Sequence, residues 1–466
     1  MKIAVAGAGL SGLSLCHALQ EKLDLAGKSA SITLFESEAR TGGKVQTIKE
    51  DGYLVEWGPN GFLNNKPDTL ELCHKLGIAK LLLPSNDAAR KRYIYAGGRL
   101  HRLPESPPAF IGSKLISWPG KFRLMAEPFV PKIKSGVDET LADFARRRLG
   151  PEALERLIGP MASGVFGGDP ETMSLRSCFP RIYELERDYG GLFKAMLKLM
   201  MKKRREQPAA QKAGPAGPGG VLTSFDGGLE VLTRALGKAF KGEVRLGQPV
   251  LKVEKAADGK GFVIHAGGSH DVFTADVFIS ASPAYAAADF LSPIDPNIPE
   301  VLEQIKYAPM AVVCMGTELE NIGVPLDGFG FLVGMREGRR LLGSLWDSSI
   351  FPGRAPEGFG SLRSMAGGAR DLATPALPDA ELAEVVRKEL SDIMGLTGVP
   401  KFLKVFKHEK AIPQYTVGHG DRVARLDAIE ARHQGLLFAG NSFRGVGIND
   451  CVREAYNVAD KAMLLI

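Results

Sequence analysis

A glycine-rich loop follows the first apolar segment of this chain. Residues 3–12 read Ile-Ala-Val-Ala-Gly-Ala-Gly-Leu-Ser-Gly, so Gly7, Gly9 and Gly12 have the G-x-G-x-x-G spacing. The first glycine permits a tight turn, the second lets backbone approach a pyrophosphate, and the third lets the following helix pack closely on the strand. N–H groups at the start of that helix then face phosphate charge. The loop predicts a βαβ unit that binds a dinucleotide, and a purely structural βαβ unit is the alternative.

An acidic residue supports the dinucleotide interpretation. Glu36 directly follows a second apolar run, Ile-Thr-Leu-Phe, at residues 32–35. A carboxylate at the end of that strand can accept hydrogen bonds from both ribose hydroxyls, and it would repel a 2′-phosphate.

A second glycine pair indicates which dinucleotide is bound. Residues 40–47 read Arg-Thr-Gly-Gly-Lys-Val-Gln-Thr and resemble the R-x-G-G-R-x-x-T segment of the flavoprotein oxidase superfamily, with Lys44 in place of the second arginine. The glycines let backbone lie against a cofactor, and the Lys44 cation is expected near its phosphates. Residues 58–61, Gly-Pro-Asn-Gly, form a second turn that can approach a ring system. No second fingerprint with the full glycine spacing follows, so we expect a small organic molecule, rather than NADPH, to reduce the flavin.

The composition limits the classes of ligand and the cellular compartment that we expect for this chain. Lys and Arg total 59 against 53 acidic residues, a net charge of +6, which suits anionic ligands or an anionic membrane and does not by itself indicate nucleic acid. The five cysteines are scattered, without metal-ligand spacing, and predict buried free thiols in a reducing compartment.

Because the first strand starts at Lys2, we expect no targeting peptide and a cytoplasmic location. No apolar stretch is long enough to span a bilayer.

The order of patterns predicts an α/β fold built from a split Rossmann-type FAD-binding domain, a mixed-sheet substrate domain and a helical insertion. The expected boundaries are 1–65, 221–285 and 405–466 for the first domain, 66–84 and 286–404 for the second, and 85–205 for the insertion. Residues 206–220 are rich in proline and glycine and are expected to form a flexible surface loop.

One amphipathic segment bears on membrane contact. Across residues 191–205, Leu192, Met196 and Leu199 mark an apolar face, and lysines recur on another face at positions 194, 198 and 202. Such a helix can lie on an anionic leaflet, for example the cytoplasmic face of the inner membrane. A helix with one core face and one solvated face fits equally well.

Four segments along the chain carry a more specific resemblance. They are Lys-Arg-Tyr-Ile-Tyr at 91–95, Ser-Gly-Val-Phe-Gly-Gly-Asp at 163–169, Gly-Phe-Gly-Phe-Leu-Val at 328–333, and Ala-Gly-Asn-Ser-Phe-Arg-Gly-Val-Gly-Ile-Asn-Asp-Cys at 439–451. In this order and spacing they resemble the protoporphyrinogen oxidase family over nearly the whole chain. Amine oxidases usually carry an acidic residue after the C-terminal Ala-Gly, where this chain has Asn441. An amine oxidase, a carotenoid desaturase and a flavin or porphyrin carrier without turnover remain alternatives.

The resemblance implies noncovalent FAD and the oxidation of protoporphyrinogen IX to protoporphyrin IX. Successive hydride transfers to flavin N5 would be followed by reoxidation with oxygen, giving hydrogen peroxide. The pyrrole nitrogens release protons readily, so no catalytic side chain is expected, and positioning and exclusion of water would carry the catalysis. The expected partners are a tetrapyrrole and oxygen, with membrane contact and a homodimer as further hypotheses, and with no nucleic acid and no metal.

The resemblance also assigns substrate residues. Arg92 would grip a propionate bidentately, although a solvated surface cation is the alternative. Gly164 would turn its carbonyl toward the substrate, unless it merely ends a helix. Apolar side chains would sandwich the macrocycle, although buried core positions would show the same pattern: Phe329, Leu332, Leu345 and Met365. The more carboxylated coproporphyrinogen remains an alternative substrate, because no motif places the additional cations that it would need.

The motifs and the resemblance together assign a larger set of residues to the cofactor. They are Gly7, Gly9, Leu10, Ser11, Gly12, Glu36, Ser37, Arg40, Gly42, Gly43, Lys44, Gly58, Pro59, Asn60, Val250, Ala281, Gly440, Asn441, Val446, Gly447 and Ile448.

Overall fold

The computed structural model describes residues 1–133, 136–206, 220–267 and 271–466, with the side chains of 202–206 outside the description. The loop predicted at 206–220 therefore lies outside the described residues except at its two ends. The side chain of Lys202 lies outside them as well.

The strands are Lys2–Ala6 (β1), Ser31–Phe35 (β2), Thr47–Glu50 (β3), Tyr53–Glu56 (β4), Phe62–Leu63 (β5), Leu82–Pro84 (β6), Lys91–Ala96 (β7), Arg99–Arg102 (β8), Leu222–Phe225 (β9), Glu243–Arg245 (β10), Val250–Lys255 (β11), Phe262–Ala266 (β12), Val272–Ala275 (β13), Val277–Ser280 (β14), Tyr307–Glu318 (β15), Gly328–Val333 (β16), Leu341–Trp346 (β17), Phe359–Gly367 (β18), Phe402–Pro413 (β19) and Leu436–Phe438 (β20).

The α-helices are Leu10–Ala26 (α1), Pro67–Lys75 (α2), Pro107–Gly112 (α3), Trp118–Met125 (α4), Leu141–Arg148 (α5), Pro151–Ala153 (α6), Gly159–Phe166 (α7), Leu175–Cys178 (α8), Pro180–Tyr189 (α9), Leu192–Glu206 (α10), Glu230–Ala239 (α11), Ala284–Leu291 (α12), Asn297–Leu302 (α13), Asp347–Ile350 (α14), Asp379–Met394 (α15), His419–Arg432 (α16) and Ile448–Met463 (α17). A π-helical turn spans Leu154–Ile158, and short 3₁₀ turns include Glu127–Phe129.

A parallel sheet holds the glycine loop. Its strand order is β10-β2-β1-β14-β20, and every neighbouring pair is parallel. Helices cover both faces, as an all-parallel sheet requires: α1, α11 and α17 pack on one, and α12, α13 and α16 on the other. The carboxyl ends of parallel strands meet at one edge, so the segments that follow β1, β2, β14 and β20 converge there. The predicted fold class is confirmed.

A mixed sheet forms the second layer, in the order β19-β15-β18-β17-β16-β7-β8, with β7 and β16 parallel and the other pairs antiparallel. Side chains alternate between its two faces. On one face, Phe331, Trp346 and Leu362 pack against α15 in a hydrophobic core. The opposite face carries Leu332 and Met365.

Sheet membership moves several predicted domain boundaries. Helix α2, within 66–84, packs in the core of the parallel sheet, and β6 pairs with β9 instead of joining the mixed sheet. Strands β7 and β8, placed in the insertion by 85–205, belong to the mixed sheet, as does β19, placed in the FAD domain by 405–466. Helix α13 and most of α12, which fall in 286–404, pack on the parallel sheet. In each case a long-range contact, which leaves no local pattern, decides the assignment.

A buried charge network holds the helical insertion together. Arg148 and Glu127 are fully buried, and the guanidinium donates to Glu127 Oε1 at 2.9 Å and to Glu186 Oε1 at 2.7 Å. Glu127 also accepts the N–H groups of Leu192 and Phe193, so this carboxylate holds the start of α10. Within the described ranges, no helix is long and apolar enough to cross a membrane.

Candidate active site

The first glycine loop meets the steric demands of its motif. Gly7 has a φ of +102°, and its N–H donates to the carbonyl of Phe35 at 2.8 Å. A Cβ on Gly12 would lie 1.9 Å from the carbonyl oxygen of Gly7, so only glycine allows α1 to pack this close to the turn. Helix α1 starts at Leu10, with Ser11 next to it, and its N-terminal N–H groups end at this loop.

The Glu36 carboxylate holds the same loop. Its Oε2 accepts the N–H of Ala8 at 2.7 Å, and its Oε1 accepts the N–H of Glu38 at 2.9 Å and the Ser37 hydroxyl at 3.1 Å. The ribose contact expected of Glu36 remains a prediction beside this structural role. Val250 starts β11 shortly after Gln248, whose N–H donates to the carbonyl of Glu36.

The second glycine pair crosses the first loop at very short range. The N–H of Gly42 donates to the carbonyl of Ala8 at 2.8 Å. A Cβ on Gly43 would lie 3.2 Å from the Cα of Gly9. The backbones of the two glycine loops thus form one surface without side chains, which a closely bound cofactor requires. Arg40 supports this crossing by donating to the carbonyl of Gly43 at 2.9 Å.

Lys44 is turned toward the end of β19. Its ammonium donates to the carbonyls of Lys410 and Ala411, each at 2.6 Å, and lies 5.6 Å from the Tyr307 ring centroid. Burial lowers the pKa of Lys44 to about 8. These carbonyls are partners that the sequence motif did not indicate, and the expected contact with cofactor phosphates remains a prediction.

The turn at residues 58–61 joins the two sheets. A Cβ on Gly58 would lie 2.7 Å from the carbonyl oxygen of Lys44, so this turn also packs backbone on backbone. The carbonyl of Gly58 accepts from Nη1 of Arg363 at 2.7 Å, and Nε of Arg363 donates to Asp347 at 2.9 Å. Both charged side chains are buried. No sequence motif indicated Arg363, although it fixes the turn at residues 58–61 against the mixed sheet.

Orphaned polar atoms test whether a flavin suits these segments. Among the described residues, several buried atoms without hydrogen-bond partners belong to or flank the predicted cofactor segments, including Gln46 Oε1, Trp57 Nε1, Asn60 Nδ2 and Asn449 Oδ1. A buried polar group without a partner costs about 1–3 kcal/mol. A flavin offers donors and acceptors to such atoms, and glycines let a cofactor approach the protein backbone closely. The residues present therefore fit FAD, with Pro59 completing the turn.

The C-terminal motif closes the same edge of the parallel sheet. Gly440 has a φ of +114°, and a Cβ there would lie 3.7 Å from the carbonyl oxygen of Ala281. Gly447 is the N-cap of α17, which starts at Ile448. Asn441 and Val446 are half-buried between them. The start of α17 and the start of α1 therefore both border the predicted cofactor site.

The substrate candidates lie on one face of the mixed sheet. In the register, Leu332 pairs with Gly343, which pairs with Met365, while Leu345 pairs with Gly330. Tyr53 and Val55 cover one end of this face, and insertion residues at 115–116 cover the other. Between them, Leu332, Leu345 and Met365 stay half-buried, as expected for the wall of a cleft.

A β-bulge brings Phe329 to Arg92. The parallel register runs from Gly328 opposite Lys91 to Phe331 opposite Tyr93, so that Phe329 and Gly330 together face Arg92. Gly330 has a φ of +121°, which permits the bulge. The Arg92 guanidinium lies 5.8 Å from the Phe329 ring centroid, and partial burial lowers the pKa of Arg92. Arg92 is therefore half-buried beside Phe329, and its expected contact with a propionate remains a prediction.

Gly164 packs against the same wall. It lies inside α7, and a Cβ on it would lie 2.3 Å from Cδ2 of Leu332. The helix ends instead at Gly167, which has a φ of +56°. The helix-ending alternative for Gly164 is therefore wrong, and its missing side chain leaves room for the side chain of Leu332. The expected contact between the Gly164 carbonyl and the substrate remains a prediction.

Comparisons with known proteins agree with this architecture. A family model described as flavin containing amine oxidoreductase matches residues 10–463. The chain is 30% identical over 471 residues to coproporphyrinogen III oxidase of Bacillus subtilis (strain 168), covering 99% of this chain and 97% of that protein. It is 29% identical over 482 residues to the mitochondrial protoporphyrinogen oxidase of Nicotiana tabacum, covering 98% and 94%.

A solved structure extends the comparison to the fold. The crystal structure of an Exiguobacterium sp. 255-15 protein, a candidate protoporphyrinogen oxidase by its own description, superposes with a TM-score of 0.84 at 26% identity, covering 99% of this chain and 98% of that one. The chain therefore belongs to the flavin containing amine oxidoreductase family, and its cofactor is FAD.

Proposed function

We propose that this protein oxidises protoporphyrinogen IX to protoporphyrin IX, with oxygen as the electron acceptor and hydrogen peroxide as the second product. The observation that carries the proposal is the pairing of one half-buried cation, Arg92, with an apolar wall beside the cofactor segments. Relatives along the full chain length that are named porphyrinogen oxidases support it.

In this proposal the chain binds and orients, and the bound flavin supplies the two-electron acceptor. Arg92 holds a propionate with its planar fork of N–H donors and fixes the orientation of the macrocycle. Phe329 and Leu332 cover the apolar ring and exclude water from it. The pyrrole N–H groups become acidic as electrons leave the ring, so the substrate releases its own protons and the chain needs no dedicated base.

Coproporphyrinogen III is the second candidate substrate. The relatives of Bacillus subtilis and Staphylococcus aureus are named coproporphyrinogen III oxidases. That substrate carries propionates where protoporphyrinogen carries vinyl groups. The apolar side chains of Leu345 and Met365 suit vinyl groups better, because a carboxylate buried without a partner is costly.

Side-by-side turnover distinguishes the two substrates. We expect kcat/KM for protoporphyrinogen to exceed that for coproporphyrinogen by about tenfold or more, from one poorly paired carboxylate at about 1–3 kcal/mol. Porphyrin fluorescence and peroxide release are measured together, against spontaneous oxidation without protein. A preference for coproporphyrinogen would transfer the proposal to the second candidate, and no acceleration of either oxidation would end both.

We also propose that the helical insertion contacts an anionic membrane surface. Trp118, Phe122 and Phe129 are 58%, 61% and 88% exposed, which is unusual for large apolar side chains. Glu127, two residues before Phe129, holds the start of α10, and that helix carries further exposed apolar side chains at Met196, Leu197 and Met200. Lysines 194 and 198 add the positive charge that an anionic leaflet attracts.

Flotation with acidic liposomes tests this surface. The double variant Lys194→Glu/Lys198→Glu is expected to lower vesicle binding about tenfold or more, because each basic residue near such a surface contributes about 1 kcal/mol. Lys238→Glu/Lys241→Glu, which changes the charge equally on the parallel-sheet domain, is the matched control and should float like the unmodified protein. Equal flotation of all three proteins would contradict the electrostatic contact.

A further inference from the structure

One aromatic side chain outside every sequence motif grips the C-terminal cofactor loop. The Tyr415 hydroxyl donates to the carbonyl of Asn441 at 2.6 Å and accepts the N–H of Gly445 at 2.9 Å. Tyr415 is only 4% exposed, and burial raises its pKa well above the ordinary value, so the phenol keeps the proton that it donates. One hydroxyl thus closes both ends of a five-residue loop.

A histidine supports Tyr415 and grips the middle of the same loop. The His419 ring stacks on Tyr415 with centroids 3.8 Å apart and planes 12° apart. Its Nε2 lies 2.8 Å from the carbonyl oxygen of Phe443, so it carries the proton and donates. Burial lowers the pKa of His419 to about 4, which keeps the imidazole neutral.

The backbone around this pair is fixed from the helical insertion. The carbonyl of Tyr415 accepts the N–H of Ser174 at 2.9 Å. Asp138 accepts the Ser174 hydroxyl at 2.6 Å through one oxygen and the N–H of Gly418 at 2.9 Å through the other. Tyr415 and His419 therefore have little freedom to follow the loop if it moves, and the loop conforms to them.

We propose that Tyr415, backed by His419, is a positioning residue that sets the backbone of residues 441–445 against the flavin. The inference rests on the family's FAD lying at this loop, as the proposed function requires. The three backbone groups held by the pair lie between Gly440 and Gly447, the two glycines that border the cofactor site. Small displacements of this loop would change the contacts and the electrostatics at the flavin.

The test compares Tyr415→Phe with Tyr183→Phe, a matched control in the insertion. Phenylalanine keeps the ring stacked on His419 and removes only the two hydroxyl contacts. We expect the FAD dissociation constant of Tyr415→Phe, measured by flavin fluorescence on reconstituting the apoprotein, to rise about tenfold. The visible circular dichroism of the bound flavin and its midpoint potential should change too. Tyr183→Phe should match the unmodified protein in all three.

A second variant guards against loss of folding. His419→Gln keeps an amide donor for the carbonyl of Phe443 and loses the stack under Tyr415, so its flavin signals should shift in the same direction by a smaller amount. Unchanged affinity, dichroism and potential in both variants would overturn the inference. An unmodified protein that binds no FAD would instead overturn the proposed function, so the two failures are distinguishable.

Discussion

Replacing Arg92 with alanine should lower kcat/KM for protoporphyrinogen about 30-fold or more while the flavin content stays unchanged. The guanidinium faces Phe329 at the edge of the apolar wall, and truncating one partner of a buried charge pair costs about 2–5 kcal/mol. The loss is expected mainly in KM, because the pair forms when substrate binds and changes little during oxidation. Steady-state rates with saturating oxygen, together with the flavin spectrum, provide the measurement.

Two further variants test whether the loss in kcat/KM comes from the bidentate contact of Arg92. Arg92→Lys keeps the charge and loses the bidentate fork, so it should fall between the unmodified protein and Arg92→Ala. Arg102→Ala removes an exposed arginine that pairs with Glu105, and it should keep kcat/KM within about twofold, as expected of a surface ion pair. Unaltered kinetics in Arg92→Ala would remove Arg92 from the substrate site.

Gly12→Ala should yield a protein that contains almost no flavin. The added Cβ would lie 1.9 Å from the carbonyl oxygen of Gly7, far inside van der Waals contact. Neither group can rotate away, because the carbonyl is backbone and the backbone of α1 fixes the position of the Cβ. Helix α1 must therefore move off the turn and carry its N–H groups away from the pyrophosphate site. The ratio of flavin to protein absorbance after purification reports the effect, and far-ultraviolet circular dichroism shows whether the fold survives.

Gly112→Ala is the matched control for this substitution. Gly112 ends helix α3, and a Cβ there would have no neighbour within 4 Å. That variant should contain as much flavin as the unmodified protein. A Gly12→Ala protein with its full flavin complement would contradict the cofactor geometry described above.

The nucleotide half of the fold could be predicted because its demands are local. Gly7, Gly9 and Gly12 lie within six residues of one another directly after β1, and Glu36 directly follows β2. The domain boundaries could not be predicted equally well, because strand partners are set by long-range contacts. Residues 221–285, for example, were assigned to one domain but supply β10 to the parallel sheet and β11 to a separate three-stranded sheet.

The same distinction between local sequence signals and long-range contacts applies to the candidate site. The resemblance indicated Arg92 and Phe329, but the contact between them depends on a β-bulge at Gly330 that no residue pattern predicts. Arg363 meets Gly58 across 305 positions of sequence, and Tyr415 lies in a short turn without periodicity, so neither could be found from local patterns. The scattered spacing of the cysteines predicted free thiols: all five are free, and all except the half-buried Cys178 are buried.

Anaerobic mixing of the flavin-loaded protein with protoporphyrinogen tests the central claim most directly. We expect the visible flavin absorbance to bleach after mixing, and aeration to restore it with release of hydrogen peroxide and porphyrin. A flavin that stays oxidised in the presence of protoporphyrinogen, yet is reduced by dithionite in the same sample, would contradict it.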